Sequence, residues 1–557
     1  LPRVERLGGR LALPRGNGSA GDSHSQGRAC GCLHNWCLSW LSCCFTLRTS
    51  FDYRAEDSNS AESRLAGIMP ATTRGTRFGV CHESFPMHMF RLFLIVFPML
   101  LTSACPAQQS SARPNLLVVV ADDLGYADIG LHGGCEVPTP HLDALGNSGV
   151  RCSAGYVTAP YCSPSRAGFL TGKSQTRFGH EFNPHEGPEA ILGLPLNQRT
   201  LADVLQAAGY ATSLIGKWHL GPDAAHHPMS RGFSEYFGFL SGAHNFRLQP
   251  EAKPVFGRAY SSNSLLRNRE PVQVPGFTTD IFTDEAIRFV NRHPQQPWFV
   301  FLSYNAVHTP LEISAAVAER IPASVTDPQR RGYLALLLGL DDAVGRLMQE
   351  IRTQHPNTLV FFFSDNGGSG RKPFFAFNTA INQPLRGDKG QLWEGGIRVP
   401  YLVSWAGQLP AGTVYEAPVS TLDILPTACA VAGAALPDGV EGVNLLPHLQ
   451  GHHTAVPHDR LYWRFGPQRA VRADRWKLVD ARDFQQKTQT GWQLYDLQSD
   501  PGETRNLADV QPQRVQELAN AWEKWNTHNI SPLWAGTPNE DPQQTAALRR
   551  NGTLAPD

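Results

Sequence analysis

The chain has no surplus of charge: 49 basic residues stand against 49 acidic ones, which gives no footing for a nucleic-acid partner or a polybasic membrane patch. Cysteine is scarce where it would count. Of 11 cysteines six precede residue 87 and a seventh is Cys105, so the body keeps only Cys135, Cys152, Cys162 and Cys429. That is too few for a disulfide framework; with Cys162 set aside at most one bridge remains, Cys135 with Cys152 being the pair to consider. The apolar run FRLFLIVFPMLL from Phe90 is too short to span a bilayer. No internal repeat is visible. The GGSG at 367–370 lacks the Gly-Lys-Ser/Thr of a phosphate loop and reads as a turn.

What is present begins with a leader. An arginine, the apolar run and then small residues form a secretory signal pattern over 87–112. A signal acts at the start of a chain, so residues 1–86, which show no periodicity, read as a non-native extension from an over-extended reading frame, the alternative being a disordered cytosolic segment. The protein is therefore expected to be exported: periplasmic, secreted or lipid-anchored. Cys105 stands where a bacterial lipoprotein would be acylated, although Thr102 occupies the position that usually carries leucine. Sequons at Asn529 and Asn551 matter only in a eukaryotic secretory route.

Hydrophobic content of 41% and ample length permit one large domain and a smaller one. Apolar runs (NLLVVVA, ATSLIG, WFVFLSY, TLVFFFS, VPYLVSW) alternate with amphipathic stretches (RTLADVLQAAG, RRGYLALLLGLDDAVGRLMQEIRTQ, STLDILPTACAVAG) over 113–457. That alternation predicts an α/β three-layer sandwich with a largely parallel central sheet. From 458 the style changes: LYWRFG, RAVRADRWKLVD and WQLYDL read as short antiparallel strands and RVQELANAWEKWN as a helix. A smaller α+β subdomain is expected over 458–540, followed by a tail, 541–557.

Chemistry gathers at the ends of the apolar runs. NLLVVVADDLG delivers Asp122 and Asp123, and TLVFFFSDNGG delivers Asp365 and Asn366, to what in an open α/β sheet is the ligand-binding edge. Three carboxylates and an amide oxygen suit a hard cation, Ca²⁺ or Mg²⁺. In CSPSRAGFLTGK, Pro164 suits a first helical turn, placing Cys162 at a helix N-terminus whose free N–H groups favour an anion. Arg166 follows at i+4, a planar cationic fork on the same helical face. SLIGKWHLG adds Lys217 and His219, SYNAVHTP adds His308, and LRGDKGQLWEGGIRVP adds Lys389 in a glycine-rich loop. Each alone has an ordinary reading, as a buried thiol, a helix cap, a loop histidine or a solvated lysine; together they do not.

In that order, from Asn115 to the QLYDLQSDPGETRNL signature ending at Leu507, these segments resemble the type I sulfatases of the alkaline-phosphatase superfamily. The likeness is to secreted bacterial arylsulfatase and N-acetylgalactosamine-sulfatase-like members. The resemblance implies that a maturation enzyme oxidises Cys162 to formylglycine, whose hydrated aldehyde attacks a sulfate ester and later expels sulfate. It implies one Ca²⁺ held by Asp122, Asp123, Asp365, Asn366 and residue 162. Arg166 would orient the hydrated aldehyde, and Lys217, His308 and Lys389 would contact the sulfate and its leaving oxygen. His219 would be the base for the expulsion step, and His308 with Lys389 would protonate the leaving group. Lys173 would support the site, and Ser241 or His244 is a looser candidate to face substrate. RFGHEFNP at 177–184 leans toward a sulfated saccharide substrate. The fold alone leaves open a phosphonate monoester or phosphodiester hydrolase, or a non-catalytic sulfated-glycan binder. Oligomeric state is not legible.

Overall fold

The computed structural model describes residues 113–134, 136–184, 192–248, 265–370, 377–483 and 488–536. The extension, the leader, Cys105, Cys135, Asn551 and the tail lie outside the described residues.

The apolar runs are strands because β-branched and aromatic residues follow one another without a polar break, which suits a strand covered on both faces. In chain order the main sheet contains β1 (Asn115–Ala121), β2 (Val150–Cys152), β3 (Ala211–Lys217), β4 (Glu235–Phe239), β5 (Leu265–Arg267), β6 (Glu270–Val272), β7 (Trp298–Ser303), β8 (Thr358–Ser364), β9 (Tyr401–Ser404) and β10 (Thr413–Tyr415). Their order in space is β10-β2-β9-β8-β1-β7-β3-β4-β5-β6. The five strands β8-β1-β7-β3-β4 are parallel, and antiparallel pairs extend both edges. The expected largely parallel sheet is therefore present.

The longer helices are α1 (Pro140–Asn147), α2 (Cys162–Thr171), α3 (Leu201–Ala207), α4 (Thr278–Arg292), α5 (Pro328–Gln354) and α6 (Ile424–Ala432). Alternate residues of β1 show how they sandwich the sheet. Leu116, Val118 and Val120 pack with Phe169 of α2, Leu201 of α3 and Leu425 of α6, whereas Leu117 and Val119 pack with Leu142 of α1, Phe282 of α4 and Leu337 of α5. Cys152 is a free, buried thiol; its suggested partner Cys135 is outside the described residues.

A second, antiparallel sheet follows: β11 (Arg460–Phe465), β12 (Gln468–Ala473), β13 (Trp476–Asp480) and β14 (Gln493–Asp496). One face carries α7 (Pro512–Asn526) on Val471, Leu478 and Leu494. The other face sends Trp463, Phe465, Val479 and Tyr495 into the same core as α2. At that junction Lys477 Nζ lies 2.9 Å from both Glu394 and Glu503, all three buried. Burial raises the Glu394 carboxyl, but Lys477 with Arg398 and Arg472 together outweigh it and hold the group at about 2; burial pushes Glu503 up to about 7. Removing the shared cation leaves two buried carboxylates facing each other. Lys477→Met is expected to lower unfolding free energy by about 3–5 kcal/mol. An unchanged denaturation midpoint would show that the junction does not depend on this charge.

Candidate active site

Because β1, β3, β7 and β8 are parallel, their carboxyl ends share one edge, and the register Ala121↔Ser364 sets Asp122 beside Asp365. Asp122 and Asp123 follow β1, Lys217 ends β3 with His219 two residues on, Ser303 ends β7, and Asp365 with Asn366 follows β8. Helix α2 presents its first residue, Cys162, to the same edge after the extended Tyr161. Asp123 and His219 adopt φ of 61° and 60°, the left-handed region that costs a non-glycine residue energy. Local strain at two site residues is what a framework tolerates when it fixes side-chain direction.

Carboxylate oxygens of Asp122, Asp123 and Asp365 and the Cys162 sulfur lie within 4.8 Å of one another. Cys162 Sγ donates to Asp122 Oδ1 at 3.7 Å, and Lys217 Nζ to Asp122 Oδ2 at 2.7 Å. Asp123 Oδ2 accepts from Lys389 Nζ at 2.8 Å, and its Oδ1 from Asn366 Nδ2 at 2.7 Å. Arg166 donates from Nε at 3.0 Å and Nη2 at 2.8 Å to Asp365 Oδ2. Its Nη1 reaches Lys217 O at 3.1 Å and Ser303 Oγ at 2.5 Å. His308 Nε2 stands 3.7 Å from Asp123 Oδ2.

Three carboxylates thus face three permanent cations, and the cluster is formally neutral. The residues fit a hard divalent ion: the donors are oxygen-rich, and Asn366 Oδ1 is a buried acceptor with no hydrogen-bond partner.

The electrostatics separate the groups. Burial alone would raise Asp122, but Lys217 and then His308 outweigh it and hold the carboxyl below its usual range. Burial pushes the Cys162 thiol up to about 12, with Lys217 and Lys389 only partly opposing. Lys389 is held well above the ordinary lysine value: burial opposes its charge, but Asp123 at contact distance, together with Cys162, Tyr161 and Asp122 behind it, prevails. His219 is driven well below the usual histidine value by burial, with Lys217 and Arg166 adding to it. His308 is lowered by burial against the pull of Asp122 and Asp123. At neutral pH the cluster therefore holds an unreactive thiol, a protonated lysine and neutral imidazoles.

The family model described as Sulfatase matches residues 114–434, and one described as N-sulphoglucosamine sulphohydrolase, C-terminal, matches residues 387–527. The chain belongs to the sulfatase family. Arylsulfatase A of Bos taurus is 33% identical over 469 residues, 75% of this chain and 89% of that one. Arylsulfatase D of Homo sapiens is 30% identical over 493 residues, 74% and 79% of the two chains. Among solved structures, Ps i-CgsB in complex with k-i-k-neocarrahexaose superposes with a TM-score of 0.71 at 31% identity, covering 80% of this chain and 98% of that one. The protein is accordingly a sulfuric ester hydrolase.

In this sulfatase all the sequence-predicted residues of the cluster converge: Asp122, Asp123, Cys162, Arg166, Lys217, His308, Asp365, Asn366 and Lys389 are linked by the contacts above. His219 lies one hydrogen bond away, its carbonyl accepting from Ser163 Oγ at 2.6 Å. Arg166 uses four of its five N–H groups on protein acceptors, so it fixes Asp365 in place. Lys173 lies apart from the cluster: it follows α2 at the end opposite Cys162, about 15 Å along a 10-residue helix, and its Nζ lies by Gly439. Ser241 and His244 bond locally, to Ala243 O at 2.8 Å and Asn245 O at 2.9 Å. Between them, Gly242 packs against His219 so closely that a Cβ would stand 2.7 Å from Nε2.

Four residues escaped the sequence reading. Ser303 anchors Arg166, and Ser163 with His180 adjoins His219. Asn378 Nδ2 holds Asp123 O at 3.0 Å and Val307 O at 3.2 Å. Ser303 and Asn378 belong to no spacing pattern, and Ser163 and His180, although inside CSPSR and RFGHEFNP, carry no residue type that marks them for this contact. The DNGG turn and the WFVFLS strand were the only hints that an edge needed such support.

Proposed function

We propose that this sulfatase is an exported enzyme that hydrolyses sulfate esters on a sulfated saccharide, with formylglycine generated from Cys162 as nucleophile and one Ca²⁺ beside it. The observation that carries the reading is the state of Cys162: a fully buried thiol pushed up to about 12, on a helix N-terminus, among carboxylates and lysines arranged for an anion. An unmodified thiol there is protonated and a poor nucleophile, whereas a hydrated aldehyde offers two hydroxyls. A maturation enzyme that recognises Cys162, Pro164 and Arg166 is the partner this requires. The saccharide follows from the likeness to Ps i-CgsB, whose structure contains a neocarrahexaose. Export follows from the leader pattern; no helix among the described residues is long and apolar enough to cross a membrane.

The residues divide the work. Asp122, Asp123, Asp365, Asn366 and residue 162 would hold Ca²⁺, which when bound would stabilise negative charge on the nucleophile and the sulfuryl oxygens. With a divalent charge added to a neutral cluster, Lys217 and Lys389 are free to turn from the carboxylates toward a sulfate monoanion. Lys389, protonated at every physiological pH, supplies the proton as the S–O bond to the sugar breaks. His219, neutral and buried, is the base that takes the proton when sulfate departs from residue 162.

His308 has a narrower part. Its Nδ1 lies 2.7 Å from Thr309 O, a carbonyl that only accepts, so Nδ1 carries the hydrogen. Nε2, which faces the site, then donates only when the ring is charged, a state that a bound sulfate favours. His308→Ala should therefore slow a saccharide sulfate by about a hundredfold while largely sparing an activated aryl sulfate, whose leaving group needs no proton. Measuring kcat/KM for both substrate types decides this. Equal losses would mean that His308 holds the sulfate or the fold. Sulfate release from a panel of defined sulfated saccharides tests the substrate class; turnover of phosphonate or phosphodiester substrates alone would overturn it.

A further inference from the structure

Both family matches end by residue 527, yet the chain beyond α7 returns to the active centre. Ile530 N donates to Thr176 O at 3.1 Å and Leu533 N to Gly179 O at 2.9 Å, so residues 530–534 run along the segment 175–183. Trp534, 9% exposed, packs edge-on against His180 with ring centroids 4.8 Å apart, and its Nε1 donates to Asn183 O at 2.9 Å. Arg177 strengthens the same junction, donating from Nη1 to Trp525 O and to Asn529 Oδ1, each at 3.0 Å.

The two residues that Trp534 touches both act on Ser163, the neighbour of Cys162. Asn183 Oδ1 accepts from Ser163 N at 3.0 Å, and His180 Nε2 lies 2.7 Å from Ser163 Oγ. Ser163 Oγ stands 2.6 Å from His219 O, a carbonyl that only accepts, so the hydroxyl proton is committed there. The short His180 contact then requires His180 to donate. Nε2 is thereby the donor to Ser163, while burial lowers the ring to about 3 against a backbone hydrogen bond with Gly193 that raises it. One serine thus ties the first turn of α2 to the left-handed backbone of His219, and its own position is set from both sides by the segment that Trp534 clamps.

We propose that residues 530–534 are a positioning tether for the active centre, acting through His180, Asn183 and Ser163 on the turn that carries Cys162 and on His219. The tether rests on the assignment of Cys162 and His219 to the reaction, but its mechanical part is measurable without turnover. The Ser163 amide is the direct reporter.

Hydrogen exchange followed on peptides is the first arm. In Trp534→Ala, amides covering 161–166 and 176–183 should exchange about tenfold faster or more, while those of β8 are unchanged. Acceleration confined to 176–183 would overturn the coupling, and a uniform rise across the molecule would reduce Trp534 to general stability. The second arm is kinetic, per formylglycine measured by mass spectrometry. Trp534→Ala and His180→Leu should each lower kcat about tenfold with KM within about twofold, and His180→Gln, whose amide N–H can still donate to Ser163 Oγ, should recover most of it. Equal defects in His180→Gln and His180→Leu would overturn the donor argument. If the wild-type chain turned over no sulfate ester, the reading of the reaction would fall while the exchange arm still decided the tether.

Discussion

Cys162→Ala is expected to fold like the wild type and to lose hydrolysis of saccharide and activated aryl sulfates together, by about 10⁴-fold or more. The expectation follows from where the side chain sits. It is buried at the start of α2 and contacts Asp122 Oδ1 at 3.7 Å, with no other side-chain hydrogen bond among the described residues. Replacing it by a methyl group leaves a void of one small atom, a minor cost to a core of this size. Catalysis has no substitute: among the described residues no second cysteine or serine hydroxyl takes the place of residue 162 among the carboxylates of the cluster, and attack on sulfur precedes any help to the leaving group. The same loss is expected for wild-type protein made without the maturation enzyme, since a thiol pushed up to about 12 is protonated at the pH of any assay. Mass spectrometry of the 162 peptide, set beside specific activity, separates these cases. A fully active sample holding only unmodified cysteine would sink the formylglycine reading, and an active Cys162→Ala protein would sink the nucleophile.

How much of this was legible in the sequence depends on range. β1 and β8 were readable to the residue because their apolar runs end abruptly in carboxylates, and a strand buried on both faces tolerates no earlier polar break. Helix α4 was not singled out although Ile281, Phe282, Glu285, Ala286, Phe289 and Val290 mark its buried stripe. It begins after Phe277 without a capping side chain, so the usual start signal is missing. Strand β4 is short and carries Gly238, which weakens the strand pattern. Asp122, Asp123, Lys217, Asp365 and Asn366 were legible because each sits at a strand end, and Cys162 with Arg166 because they open a helix, whereas Lys389, in a glycine-rich loop, was legible only through the resemblance. Ser303, Asn378 and the Ser163–His180 pair were not, because their partners lie 137, 255 and 17 residues away. Lys173, which the resemblance gave as a support for the site, stands at the far end of α2 from Cys162.

Stripping the divalent ion should abolish turnover and leave the fold intact. The reason lies in the charge arrangement. Lys217 and Lys389 lie 2.7 and 2.8 Å from Asp122 and Asp123, and Arg166 holds Asp365, so each of the three carboxylates has a cation supplied by the chain itself. The fold therefore does not need the metal, unlike a small domain built around one. What disappears is function, since the two lysines are then engaged by carboxylates and the cluster has no net positive charge for a sulfate monoester. Activity should fall by about 10³-fold or more after chelation and return with Ca²⁺, as loss of a bound cation implies for a reaction that gathers charge on oxygen. Ca²⁺ should also raise the unfolding temperature, by the amount expected of a ligand that binds only the native state, about 2.7 kcal/mol at a hundredfold excess over Kd. Asp123→Asn should lose both responses while keeping a native far-ultraviolet spectrum, because Asp123 contributes a carboxylate oxygen to the set and takes Lys389 and Asn366 together. Elemental analysis of active protein supplies the check: stoichiometric zinc without calcium, or full activity in a chelated sample free of metal, would overturn the assignment of this oxygen-rich set to a hard cation.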